Sequence, residues 1–117
     1  MDESLAFYTE VLGLRFDGRR TIPENHAEIA FVQDPASGAR VELTHWEGKD
    51  RFDEGEQLDH LAFEVDDLDR FLMKMRTKSV RVAKEPYRLG GGSSRLAFIL
   101  DPNDVWIELI ERAPAPG

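Results

Sequence analysis

The sequence predicts an α+β fold made of two similar halves, and three observations support this prediction. The strand-like stretches around Phe31 and Glu42 recur around Phe98 and Glu108, and in each half the first stretch ends in Asp-Pro. Both halves also share one order of elements, a helix followed by three strands. The clearest helical period lies in the second half, where large apolar residues fall at i, i+3, i+4 and i+7: Leu68, Phe71, Leu72 and Met75.

The first half is predicted to open with a helix over residues 2–12. Asp2 or Ser4 can cap its N-terminus, and Gly13 is a suitable stop at its C-terminus. Three strands separated by turn sequences follow, and we place them at 14–20, 29–33 and 39–44. Residues 1–46 therefore form the first predicted module.

The second half is predicted to have an additional strand in front of its helix. This strand covers 58–65, and Asp66 is expected to cap the helix that follows. The remaining strands are placed at 80–83, around Phe98 and around Glu108. The second module is thus 58–112, joined to the first by a polar linker at 47–57 and followed by a disordered tail at 113–117.

Aligning the two helices shows that the first half lacks a counterpart of the strand over 58–65. By this offset, the residue matching His60 would lie about eight residues before Met1. We expect either a longer natural protein or another segment that covers the exposed sheet edge.

Composition and charge exclude several classes of protein. The 117 residues contain no cysteine, which excludes a thiol nucleophile, a Cys-based zinc site and a disulfide framework. The formal net charge of −8 argues against nucleic acid or an anionic membrane surface as a partner. Neither a signal peptide nor a membrane-length apolar run is recognisable, so we expect a cytoplasmic protein.

Two glutamates occupy the middle of predicted strands. Glu42 and Glu108 each alternate with apolar residues that point to the opposite face of the strand. Glutamate is uncommon in strands, and a buried carboxylate without a partner is costly, so each position calls for a cation, a hydrogen-bond donor or a metal ion. Because their strands are equivalent, the two carboxylates are predicted to share one site. Four other glutamates are interpreted as ordinary surface charges: Glu10, Glu28, Glu64 and Glu111.

Five stretches follow one another along nearly the whole chain. They are SLAFYTEVLGL at 4–14, VELT at 41–44, DHLAFEVDD at 59–67, GGSSRLAFILDP at 91–102 and WIEL at 106–109. In this order they resemble the vicinal-oxygen-chelate superfamily and, within it, the glyoxalase I family. The resemblance implies two βαβββ modules whose curved mixed sheets form a cleft, in a homodimer with the site at its interface. It also implies that the first strand of module 1 is absent from this chain.

The family holds a divalent metal ion with four side chains, and the resemblance implies that Glu42, His60 and Glu108 are three of them. The fourth would lie on the absent strand. Glu42 of one chain is expected to meet His60 and Glu108 of its dimer partner. One imidazole and carboxylate oxygens, with room for water, suit an octahedral divalent ion such as Ni²⁺, Co²⁺, Mn²⁺ or Zn²⁺. The short chain resembles the nickel/cobalt-type bacterial enzymes of the family, which implies Ni²⁺ or Co²⁺ before Zn²⁺ or Mn²⁺.

The implied reaction is methylglyoxal detoxification by a carbon-sulfur lyase. The hemithioacetal of methylglyoxal and glutathione would isomerise to S-lactoylglutathione through an enediolate stabilised by the metal. Glu108 is the predicted general base, and Glu42 is a second acid or base. Four cationic side chains and one aromatic side chain are candidates to bind the glutathione part: Arg88, Arg95, Lys49, Arg51 and Trp46.

Other functions within the superfamily stay open. The stretch 60–67 also resembles a methylmalonyl-CoA epimerase, which is another metal-dependent enzyme. A non-catalytic protein of the bleomycin-resistance kind would bind a ligand without metal; the retained glutamates and His60 argue against it, and the missing fourth ligand argues for it. A ring-cleaving dioxygenase is least favoured, because it needs two histidines and only His60 is well placed.

Overall fold

The apolar alternation in the sequence forms strands in both halves of the chain, which the computed structural model describes over residues 1–49, 60–88 and 93–112. The chain divides into two units, Met1–Glu54 and Gly55–Gly117. Each unit combines helix with a sheet of its own, so the predicted α+β class is confirmed.

In the first unit a helix precedes a three-stranded antiparallel sheet. The helix begins as α1 (Asp2–Ala6) and continues as a π-helical segment (Phe7–Val11). The other elements are β1 (Arg15–Ile22), a 3-10 turn (Pro23–Asn25), β2 (Ala27–Gln33) and β3 (Arg40–Trp46), with the strands in the order β1-β2-β3. Gly13 ends the helical region as predicted. Its φ of +81° lies in the left-handed region, which glycine adopts without a Cβ penalty.

The second unit has the predicted order of strand, helix and three strands. Its elements are β4 (His60–Glu64), α2 (Leu68–Thr77), β5 (Val82–Tyr87), β6 (Arg95–Leu100) and β7 (Trp106–Glu111). The sheet order is β4-β7-β6-β5, with β4 parallel to β7 and the other pairs antiparallel. Apolar side chains of α2 and of the central strands are fully buried and form the core: Leu68, Leu72, Met75, Ala97, Ile99, Ile107 and Leu109.

Two predictions about the second unit were wrong in detail. Asp67, and not Asp66, caps α2, because its extended backbone lets the side chain accept the N–H of Arg70 at 3.1 Å. The strand predicted at 80–83 instead runs over Val82–Tyr87 and contains Pro86. A proline weakens a strand pattern, but β5 is an edge strand that pairs irregularly with β6, where a proline is tolerated.

The two sheets differ at the strand that carries the predicted glutamate. Strand β7 is paired on both edges, by β4 and β6. Strand β3 is its counterpart, and among the described residues of the first unit β2 is its one neighbour. No helix in the described part of the chain is long and apolar enough to span a membrane.

Candidate metal-binding and catalytic site

The second unit brings His60 and Glu108 together. His60 begins β4 and Glu108 lies within β7, and the parallel register places Ala62 beside Glu108. His60 Nε2 lies 3.0 Å from Glu108 Oε1, although the two residues are 48 positions apart in the chain. Glu108 alternates with the buried residues Ile107 and Leu109, so its side chain projects from the sheet face opposite α2. Two of the predicted site residues therefore share one place on this face.

Aromatic rings surround the His60–Glu108 pair. Phe98 lies directly across from Glu108 in the β6–β7 register. Its ring meets the His60 ring edge to face, with centroids 5.3 Å apart, and meets the Trp106 ring at 5.2 Å. The side chains of His60 and Glu108 are 29% and 16% exposed, so water reaches the pair only in part. A hydrogen-bonded pair in such surroundings is electrostatically stronger than the same pair in water.

Phe98 had no predicted role at the site. The internal repeat could have indicated such a role, because Phe98 and Glu108 in the second half correspond to Phe31 and Glu42 in the first half. What the sequence could not supply was the register, which sets Phe98 across from Glu108.

Glu42 has the matching strand pairing in the first unit, although it is exposed whereas Glu108 is mostly buried. It lies across from Phe31 in the β2–β3 register, just as Glu108 lies across from Phe98. Its carboxylate accepts a hydrogen bond from the Thr44 hydroxyl at 3.1 Å. The Arg40 guanidinium covers the Phe31 ring at 4.4 Å, in the position that Trp106 takes beside Phe98. The equivalence of the two Phe-Glu strand pairs, predicted from the repeat, is thus present in the register of both sheets.

The donor atoms of the pair fit a divalent metal ion. An imidazole nitrogen of His60 and a carboxylate oxygen of Glu108 lie 3.0 Å apart, close enough to bind one ion, and Ni²⁺, Co²⁺, Zn²⁺ and Mn²⁺ accept such ligands. Within either unit, the described residues include no group of three His, Cys, Asp or Glu side chains arranged for a metal ion. Glu42 belongs to the other unit, and its participation in the site stays a prediction.

The predicted substrate-binding residues lie in several parts of the chain. Trp46 ends β3 and is 45% exposed, and Lys49 follows it in an exposed turn. Arg88 follows β5 and donates from Nη1 to the Ser93 carbonyl at 2.6 Å. Arg51 lies outside the described residues. The substrate-binding role of these four stays a prediction.

Arg95, the fifth candidate, takes part in an ion-pair network beside α2. Its Nε donates to Glu111 Oε1 at 3.0 Å, and its Nη2 donates to Asp69 Oδ2 at 2.9 Å. Glu111 Oε2 also accepts the backbone N–H of Leu68 at 2.6 Å. The hydrogen bond from Arg95, and secondly that from Leu68, hold the pKa of Glu111 below its ordinary value.

The interpretation of Glu111 and Glu28 as ordinary surface charges was wrong, because each accepts hydrogen bonds from an arginine. Glu28 accepts from Arg19 Nε at 2.7 Å, and Arg19 Nη1 also reaches Asp2 at 2.6 Å, so one arginine joins two carboxylates in each unit. The hydrogen bond from Arg19 lowers the pKa of Glu28.

The Asp-Pro turn that leads into β7 is held by a buried carboxylate. Asp101 is 3% exposed, and its Oδ1 accepts the backbone N–H groups of Asn103 at 2.8 Å and Val105 at 2.9 Å. Its counterpart Asp34 accepts the N–H of Ala36 at 3.0 Å and the Ser37 hydroxyl at 2.7 Å. The turn thus fixes the start of the strand that carries Glu108.

Comparisons with known proteins identify relatives over nearly the whole chain. A family model for the Glyoxalase/Bleomycin resistance protein/Dioxygenase superfamily matches residues 1–109. The probable chloroplastic lactoylglutathione lyase of Arabidopsis thaliana is 36% identical over 118 residues, covering 99% of this chain and 34% of that protein. The probable lactoylglutathione lyase of Synechocystis sp. is 34% identical over 113 residues, covering 95% of this chain and 86% of that protein.

Solved structures give the same result for the fold. The crystal structure of glyoxalase I from Zea mays matches with a TM-score of 0.84 and 32% sequence identity, covering 98% of this chain and 42% of that chain. The chain therefore spans about a third of the Arabidopsis protein and about two-fifths of the Zea mays protein, and most of the Synechocystis protein.

Proposed function

The chain belongs to the Glyoxalase/Bleomycin resistance protein/Dioxygenase superfamily, and from this membership we propose that it is a metal-dependent lyase of the glyoxalase I type. Its substrate is the hemithioacetal of methylglyoxal and glutathione, and its product is S-lactoylglutathione. The observation that carries the proposal is the contact of His60 Nε2 with Glu108 Oε1 at 3.0 Å on the sheet face opposite α2. Relatives at 34% and 36% identity that are named lactoylglutathione lyase support it.

His60, Glu108 and Glu42 would hold the metal ion, with Ni²⁺ or Co²⁺ favoured over Zn²⁺ or Mn²⁺. When bound, the ion supplies positive charge that stabilises the two vicinal oxygens of the enediolate. We propose that Glu42 reaches the site from a second copy of the chain, so that a homodimer completes it. The matching settings of Glu42 and Glu108, each across from a phenylalanine, support a shared role.

Glu108 is the proposed general base. Its carboxylate takes the proton from the carbon that bears sulfur and returns it to the neighbouring carbonyl carbon, while the hydroxyl proton of the first carbon moves to the oxygen of the second. One C–H bond and one O–H bond therefore break, one of each forms, and no atom is lost. Its side chain is only 16% exposed, which limits exchange of that proton with water. His60 orients the carboxylate, and Glu42 is the second acid or base.

Trp46, Lys49, Arg51 and Arg88 are proposed to bind the glutathione part of the substrate. Guanidinium and ammonium groups match the carboxylates of glutathione, and an exposed indole can pack on its carbon chain. We place the protein in the cytoplasm, where thiols such as glutathione stay reduced.

The test is an assay of the metal-stripped chain with methylglyoxal and glutathione. Ni²⁺, Co²⁺, Mn²⁺ and Zn²⁺ are added back separately, and thioester formation is followed by absorbance. Turnover should require metal, and Glu108→Gln should lower kcat by roughly 100-fold or more because a positioned base is lost. The matched control is Glu64→Gln on neighbouring β4, whose carboxylate pairs with exposed Arg112 at 3.3 Å and should leave kcat unchanged.

Equal turnover in Glu108→Gln and the unchanged chain would refute its role as base. Metal binding without any thioester product would refute the glyoxalase I activity, and the epimerase and ligand-binding functions of the superfamily would then be tested next.

A further inference from the structure

The position of His60 depends on an edge strand. Strand β4 is five residues long, and among the described residues of its unit β7 is the one strand that pairs with it. A strand paired on one side can slip or fray more readily than a central strand, and a shift of one residue moves every side chain to the opposite face. Because Glu108 lies on β7, the contact between His60 and Glu108 requires that this one pairing keep its register.

Three links tie the far end of β4 to β7. The N–H of Val65, just after β4, donates to the Ile110 carbonyl at 2.9 Å. The N–H of Leu68, the first residue of α2, donates to Glu111 Oε2 at 2.6 Å. Arg95 completes the connection, since it binds both Glu111 at 3.0 Å and Asp69 at 2.9 Å. The corner between β4 and α2 is therefore held by the last residue of β7.

Burial distinguishes this network from the other ion pair at the same end of the sheet. The side chains of Arg95 and Glu111 are 24% and 23% exposed, whereas those of Arg112 and Glu64 are 64% and 62% exposed. Exposed pairs contribute little to stability because water and salt screen them. A carboxylate that accepts a backbone N–H in the first turn of a helix also interacts favourably with the helix dipole. The Arg95–Glu111 pair is thus the stronger restraint.

The same pair lies on the face of the sheet away from Glu108. Arg95 and Glu111 are directly paired in the β6–β7 register, and they share the face of Ala97, Ile107 and Leu109, which the core buries. Glu108 points to the other face. This placement separates the Arg95 guanidinium from the surface that carries the candidate site.

We propose that Glu111 and Arg95 are positioning residues, which hold the β4–α2 corner against β7 and thereby keep His60 in contact with Glu108. Arg95 then has this role in place of the substrate-binding role predicted from its charge. The effect on turnover rests on the function proposed above. The effect on the His60–Glu108 geometry does not depend on metal or substrate.

The test compares Glu111→Gln, Glu111→Ala and the control Glu85→Gln. Glutamine keeps an acceptor for the Leu68 N–H but loses the charge, and alanine loses both. Glu85→Gln removes another Arg-Glu pair of the same unit, the one with Arg76, which joins α2 to β5 and does not involve β4 or β7. The loss of thermal stability measures the structural effect of each change.

The decisive readouts are NMR measurements on the metal-free protein. We expect weaker NOEs between the His60 and Phe98 rings, and exchange of the β4 amide protons about tenfold faster, in Glu111→Gln. Glu111→Ala should show a larger effect, and Glu85→Gln should match the unchanged chain. In the metal-loaded enzyme, kcat should fall about tenfold in Glu111→Gln with KM little changed, as for other residues that orient a metal ligand.

Each outcome decides the proposal. Equal NOEs and exchange rates in Glu111→Gln and Glu85→Gln would overturn it. An Arg95→Met variant that raises KM while the NOEs stay intact would show that Arg95 binds substrate, which also overturns it. Absence of turnover in the unchanged chain would refute the proposed function, and the NMR comparison would still confirm or reject the positioning role.

Discussion

Replacing Asp101 by alanine should destabilise the second unit markedly. Asp101 is 3% exposed, and its Oδ1 accepts two backbone hydrogen bonds, from Asn103 at 2.8 Å and from Val105 at 2.9 Å. A hydrogen bond to a charged group contributes about 1.5–3 kcal/mol, and two bonds to one atom are not additive. We therefore expect Asp101→Ala to lower the free energy of unfolding by about 3 kcal/mol.

Two further variants show which property of Asp101 stabilises the fold. One keeps the hydrogen-bond acceptor but removes the charge, and the other removes the equivalent carboxylate from the turn of the first unit. Asp101→Asn keeps an oxygen in the place of Oδ1, so it should retain most of the stability and lose only about 1 kcal/mol. Asp34→Ala makes the same change in the equivalent turn of the first unit. The Asp34 turn is exposed, so its loss should be clearly smaller than that of Asp101→Ala.

Urea unfolding, followed by tryptophan fluorescence and circular dichroism, measures these differences. With an m-value of about 2 kcal/mol per molar, Asp101→Ala should lower the midpoint by about 1.5 M. A midpoint equal to that of the unchanged chain, or a larger loss in Asp34→Ala, would refute the reasoning that burial makes this carboxylate the anchor of β7.

Three further predictions concern the core, a turn and the response to acid. Leu72→Ala should lower the free energy of unfolding in urea by about 3 kcal/mol, because Leu72 is 1% exposed. Met73→Ala, at a position 67% exposed, should change it by less than about 0.5 kcal/mol. Equal losses in the two variants would contradict this prediction. Gly13→Ala should cost about 1 kcal/mol, since φ is +81° and an added Cβ would meet no atom within 4 Å, so the strain is in the backbone alone. Gly13→Asn should cost less, and the same unfolding measurement compares them. Arg95 and then the Leu68 N–H keep the pKa of Glu111 below its ordinary value of 4.5, so the folded state binds fewer protons than the unfolded state near that pH. This stabilisation is present above the ordinary pKa and is lost as the pH falls through the folded pKa, so the stability difference between the unchanged chain and Glu111→Gln should be larger at pH 7 than at roughly pH 3. An equal difference at both pH values would show that the ion pair does not stabilise the fold.

The elements could be predicted from the sequence because their signals are local. The period of Leu68, Leu72 and Met75 reports a helix that buries one side, and all three are indeed buried. Phe31 and Glu42 recur as Phe98 and Glu108, which predicts two equivalent pairs of strands. The register of both pairs confirms this, since each glutamate lies across from a phenylalanine.

Other features depended on contacts that a local pattern does not encode. Whether Asp66 or Asp67 caps α2 depends on the backbone conformation of the residue that precedes the helix, and the two side chains are identical. Glu111 was misjudged because its partners, Arg95 and Leu68, lie on a different strand and a helix. The extent of β5 was mispredicted because it contains Pro86. A proline argues against a strand unless the strand is irregular or at a sheet edge, and the sequence does not show that β5 is such a strand.

The sequence alone determined that the chain is an α+β protein with two related halves, and its repeat singled out Glu42 and Glu108, whereas His60 was indicated by the resemblance to a known family. Hydrophobic periodicity and an internal repeat are both visible in the order of residues along the chain, so they need no knowledge of the fold. Only the tertiary structure decided that His60 Nε2 contacts Glu108 Oε1 beside Phe98, and that Arg95 forms ion pairs with Glu111 and Asp69. Those contacts follow from the parallel pairing of β4 with β7 across 48 residues, and strand register between distant segments is set by packing of the whole sheet.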